Sequence, residues 1–113
     1  MIKATFTERG ERLSLRLEGH AEYAEHGKDL ICASASILAY TVAQYVKIAQ
    51  EHENLVSPAE IKLESGDAFI SCEPNNTITM EARKMFDFAK LGYRLLAHNY
   101  PQYVELITDG EAE

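Results

Sequence analysis

Hydrophobic and polar positions alternate from the start of the chain. Ile2, Ala4 and Phe6 fall between Lys3, Thr5 and Thr7, the two-residue period of a strand with one buried face. After the turn signal Arg9-Gly10-Glu11, the alternation resumes with Leu13, Leu15 and Leu17 against Arg12, Ser14, Arg16 and Glu18, which predicts a hairpin. Continuing the pleat puts His20 on the side of Arg16 and Glu18, away from the core leucines and within reach of solvent.

From residue 30 the period changes to 3.6. A helix over 30–51 is predicted with Ile31, Ala35, Leu38, Val42, Val46 and Ala49 on one face. Ile37, Tyr40, Tyr45 and Ile48 widen the apolar surface, leaving a polar stripe through Ser34, Thr41, Gln44, Lys47 and Glu51. A helix apolar over so much of its circumference needs cover on more than one side, and in a chain this short a second subunit is an expected cover. Residues 61–64 and 68–73 predict a second hairpin across Ser65-Gly66-Asp67, and Pro74 breaks the strand. A second helix is predicted over 79–99, with Ala82, Met85, Phe86, Ala89, Tyr93 and Leu96 buried and Pro101 as its stop. A short strand over 103–108 follows, then an acidic tail over 109–113 expected to fray. The order ββαββαβ predicts one α/β (α+β) domain over 1–113: two layers, a mixed sheet packed with two long helices.

The joint between the first hairpin and the first helix holds the candidate chemistry. Ala21-Glu22-Tyr23-Ala24-Glu25-His26-Gly27-Lys28 is polar and without period, so it reads as a loop long enough to act as a flap. Asp29 suits a helix N-cap. Cys32 would then lie in the first turn, where unpaired N–H groups and the helix dipole favour an anion. A thiolate there is a nucleophile, His20 can take its proton and return it to a leaving amine, and nearby backbone amides can hold an oxyanion. On spacing alone two plainer readings stand beside this one: Cys32 as a small core residue among alanines, and His20 as a surface group.

Composition narrows the partners. A formal net charge of −7 over 113 residues argues against nucleic-acid backbone binding, which needs clustered cations, and suits a basic peptide better. No unbroken apolar run of about eighteen residues and no basic-then-apolar leader pattern are present, so a cytosolic protein with no membrane association is expected. Cys32 and Cys72 belong to no CxxC pair and are expected to be free, Cys72 as an inert core thiol. Cys32, His20, His26 and Asp29 match no zinc spacing, so neither a metal nor another cofactor is expected. His52 and His98 near helix C-termini are assigned no catalytic role.

Gly19-His20-Ala21, then Gly27-x-Asp29-x-x-Cys32-Ala33, then Ser36 one helical turn later, resembles the signature of the ribosomal-processing cysteine protease family, Prp. The resemblance extends to the opening hairpin, the two long helices and Tyr100-Pro101 before the final strand. It implies a small homodimeric bacterial protease that removes the N-terminal extension of large-subunit ribosomal protein 27, whose leaders carry aromatic residues near the scissile bond. It also implies Cys32 as nucleophile, His20 as general base, Gly27 as the glycine that turns the loop, and residues 21–28 as a segment that moves with substrate. Asp29 would cap the helix or orient His20. Ser36 would hydrogen-bond near the thiol or simply pack. Two further classes use the same residues without proteolysis: a ribosome-assembly or peptide-binding module, and a thiol redox sensor at Cys32.

Overall fold

A computed structural model describes residues 1–20 and 26–110 of the chain, and the side chains of all of these except 26–29 and 110. In order, the elements are β1 (Ile2–Arg9), β2 (Arg12–Glu18), α1 (His26–Glu51), β3 (Glu60–Glu64), β4 (Asp67–Cys72), α2 (Thr79–Asn99) and β5 (Val104–Gly110). The five strands form one mixed sheet in the order β3-β4-β2-β1-β5. β1 runs parallel to β5, and every other neighbouring pair is antiparallel.

The alternating residues become the floor of the core. Ile2, Ala4, Phe6, Leu13, Leu15 and Ile70 are buried, and they share one cluster with Ile31, Ala35, Val42 and Val46 of α1 and Ala82, Phe86, Ala89 and Tyr93 of α2. Both helices therefore cover the same sheet face, which makes the two layers. Tyr93 ties the layers together: its ring meets Phe6 edge-on at 5.8 Å, and its hydroxyl donates to the Ala35 carbonyl at 2.7 Å. The uncovered sheet face carries polar residues together with Ile107, which pairs with Thr5, and Phe69, whose ring carries the Arg16 guanidinium at 4.6 Å.

By length and hydropathy Leu30–Glu51 would pass for a membrane-crossing helix. Here Ile31, Ala35, Ala39, Val42, Ala43 and Val46 pack on the domain's own sheet and α2, while Ile37, Tyr40 and Ile48 stay exposed.

Two boundaries differ from the sequence expectation. Helix α1 begins at His26, so Gly27 does not turn a loop, His26 and Lys28 are not flap residues, and Asp29 is inside the first turn and not its N-cap. The five other residues assigned to the flap, Ala21, Glu22, Tyr23, Ala24 and Glu25, lie outside the described residues. Asp109 and Gly110, expected in a frayed tail, belong to β5 and pair with Thr7 and Glu8. There Asp109 accepts from Arg9 at 2.8 Å, an ion pair that only the parallel β1–β5 neighbourhood makes possible.

Candidate active site

A cleft of about 220 Å³ opens at one end of the sheet. The end of β2 brings Gly19 and His20 to it, α1 contributes Cys32, Ala35, Ser36, Ala39 and Tyr40, and the β3–β4 turn contributes Glu64 to Asp67. The helical part follows from periodicity: positions 32, 35, 36 and 39 lie on one stripe, and Tyr40 flanks it one turn beyond Ser36. The strand part follows from register. Glu18 of β2 pairs with Asp67 of β4, so the chain leaving β2 runs beside the turn that enters β4.

His20 and Cys32, twelve positions apart in the sequence, thus line one cavity. His20 is exposed, as its place on the polar side of β2 requires, and its carbonyl accepts from the Met1 amino group at 2.6 Å. Cys32 is half-buried with a free thiol. Cys72 is also free but fully buried in the core, and burial pushes its thiol up to about 11, which leaves it protonated and inert at neutral pH.

With α1 beginning at His26, Cys32 falls in the second turn and not the first. The unpaired N–H groups and most of the dipole field belong to the first turn. The Cys32 N–H has a carbonyl partner four residues earlier in regular helix, so it is not a free oxyanion donor. Any support for a thiolate would therefore have to come from other groups that share the cleft, of which His20 is one. Ser36 and Ser65 carry the uncharged hydroxyl donors of the lining, besides Tyr40.

The wall opposite α1 was not legible as part of a site. Ser65-Gly66-Asp67 reads only as a hairpin turn, yet the tip of the His20 ring stands where a side chain at Gly66 would begin, and the Gly66 carbonyl accepts from the Gly19 N–H at 2.9 Å. Asp67 accepts from Arg16 Nη1 at 2.7 Å through Oδ1 and from Lys62 Nζ at 2.7 Å through Oδ2. The Lys62 hydrogen bond, helped by the Arg16 charge, holds the Asp67 carboxyl below its ordinary range, and Asp67 in turn holds Lys62 above its own. Among the described residues no three His, Cys, Asp or Glu side chains converge as metal ligands.

The cleft therefore offers a free thiol, an imidazole and three hydroxyls over a floor of Leu17, Ala35, Ala39 and Ala68, with a rim on which Glu64 and Asp67 face Lys62 and Arg16. That set suits nucleophilic attack on a carbonyl held against small apolar residues.

The family sequence model described as "Cysteine protease Prp" matches residues 1–105. The ribosomal processing cysteine protease Prp of Bacillus subtilis is 34% identical over 62 residues, which are 53% of this chain and 55% of the relative, so the chain matches about half the relative's length. The crystal structure of SMU.848 from Streptococcus mutans superposes with a TM-score of 0.67 at 26% identity, covering 98% of this chain and 96% of the other. That of the ribosomal processing protease Prp from S. aureus with a substrate peptide superposes at 0.66 and 18% identity, covering 96% and 99%, and supports the fold.

Proposed function

The chain belongs to the family of the cysteine protease Prp, and on that premise we propose that it is a cysteine endopeptidase removing the N-terminal extension of large-subunit ribosomal protein 27. The observation that carries this reading is the single cleft lined by both Cys32 and His20.

In this mechanism His20 takes the Sγ proton and the Cys32 sulfur attacks the scissile carbonyl carbon. The tetrahedral oxyanion collapses to a thioester as the imidazolium protonates the departing amine. His20 then takes a proton from water, the hydroxide attacks the thioester, and the sulfur leaves, regaining its proton. Ser36 and Ser65 are the hydroxyl donors within the cleft that suit the oxyanion. The alanines of the floor leave room for an aromatic side chain beside the thiol, and the chain's net charge of −7 suits a basic leader.

The same reading makes the protein a cytosolic homodimer. An apolar groove between the helices, lined by Ile37, Leu38, Leu95 and Leu96, supports a second copy as the missing cover.

The test is incubation with leader-bearing ribosomal protein 27, read by mass spectrometry. Cys32→Ala and His20→Ala are each expected to lose cleavage by about three orders of magnitude or more with the fold intact. Wild-type rates in both variants would falsify the assignment. Recovery of uncut leader in a stable complex with the wild-type protein would replace it with a peptide-binding module.

A further inference from the structure

We propose that the β3–β4 turn is the platform that sets the His20 imidazole, with Gly66 as its positioning residue. This deepens the protease reading and rests on it for its consequence in catalysis, though not for the contact itself.

Gly66 has φ +76°, a conformation in which glycine carries no steric penalty. Its missing side chain matters more. A Cβ at position 66 would stand 2.5 Å from His20 Nε2, 3.0 Å from Cε1 and 3.4 Å from Cδ2. The ring tip therefore occupies the space that any other residue at 66 would fill. An exposed histidine at a strand end otherwise has several staggered rotamers open to it. Contact with the Gly66 α-carbon selects among them.

The platform itself is held from two strands. The Gly66 carbonyl takes the Gly19 N–H, one residue before His20, and Asp67 is bound by Arg16 of β2 and by Lys62 of β3. A side chain at 66 thus meets a fixed turn on one side and an exposed ring on the other. The ring gives way and leaves its present place in the cleft that it shares with Cys32. Peptide binding against the alanine floor is untouched, so the loss appears in kcat and not in KM.

Gly10 provides the control. It closes the β1–β2 hairpin at φ +60°, and a Cβ there would meet nothing within 4 Å. Asparagine tolerates the left-handed region, so Gly66→Asn and Gly10→Asn share their backbone demands and differ in the collision with His20. Three readouts are taken: kcat and KM on the leader substrate, the His20 ring resonances and their pH titration, and, in the wild-type protein, the nuclear Overhauser contact between the His20 ring protons and Gly66 Hα. The expected results are a kcat lowered about ten- to a hundredfold in Gly66→Asn, with KM within about threefold, displaced His20 ring resonances with a moved titration midpoint, and neither change in Gly10→Asn. The wild-type contact is expected to be present. Wild-type kcat and unmoved His20 resonances in Gly66→Asn overturn the proposal, as does an equal loss in Gly10→Asn. Should Gly66→Asn fail to fold, the wild-type contact decides, its absence overturning the proposal. If the wild-type protein cuts no leader, the protease reading fails alone, because the ring contact and resonances still report on Gly66.

Discussion

Replacing Tyr93 with phenylalanine isolates one bond between the helical layer and the cleft. Tyr93 is wholly buried, and its hydroxyl donates at 2.7 Å to the carbonyl of Ala35, which lines the cleft one turn beyond Cys32. Phenylalanine keeps the edge-on contact with Phe6 and removes only the hydroxyl. A neutral intramolecular hydrogen bond contributes about 0.5–1.5 kcal/mol net. The Ala35 carbonyl still accepts the N–H four residues later in the helix, so no acceptor is orphaned and the expected cost is about 1 kcal/mol. For a domain of this size that lowers Tm by roughly 4 °C by scanning calorimetry at pH 7. Leader cleavage at 25 °C should stay within about twofold of wild type, because no cleft atom is removed. A pH series adds a second arm. Burial holds the Tyr93 phenol above its ordinary value, so above about pH 10 the unfolded chain releases this proton while the folded one keeps it. The native state then binds more protons, and stability falls as pH rises. The Tyr93→Phe variant has no phenol to titrate and lacks this loss, so the Tm gap between the two proteins should narrow from about pH 9 to 11. An unchanged Tm at pH 7, or a gap constant across the alkaline series, would refute the role given to this hydroxyl.

Native protein treated with iodoacetamide near pH 8 should take one label, at Cys32, because Cys72 is fully buried with its thiol pushed up to about 11; equal labelling of both before denaturation would contradict the burial argument. Asp67→Asn should lower Tm at neutral pH and converge with wild type in acid. The folded carboxyl, held low chiefly by the Lys62 hydrogen bond, contributes above its unfolded value near about 4 and loses that contribution as pH falls below it. A difference undiminished at about pH 2.5 would rule out the ion pairs as its source.

The elements were legible because each buries its own periodic face. The β1 and β2 alternations ended at Gly10 where the hairpin turns, and the α2 stripe of Ala82, Phe86, Ala89 and Tyr93 carried its limits of Thr79–Asn99. The start of α1 was not, since His26-Gly27-Lys28-Asp29 has no apolar period and contains two residues that favour helix ends. Once a helix is nucleated, each added residue costs little, and one interior glycine costs only about 1 kcal/mol against alanine. A 26-residue helix absorbs that readily. The consequence is chemical: a start at His26 moves Cys32 away from the free amides of the first turn, so the proposed mechanism rests more heavily on His20.

His20 and Cys32 could be paired from sequence because the joint between β2 and α1 is local, a dozen residues that return to one place. The third wall of the cleft is not local. It comes from pairing β2 with β4, two strands separated by the whole of α1 and β3, and hairpin signals specify a strand's own partner but not which hairpins meet edge to edge. That pairing sets Glu18 against Asp67 and so brings Gly66 to the tip of the His20 ring. The proposed catalytic pair is thus written in a short stretch, while the turn that the imidazole tip meets depends on sheet order. A glycine that the local pattern explains fully as a hairpin turn acquires a second constraint only when the two hairpins are joined.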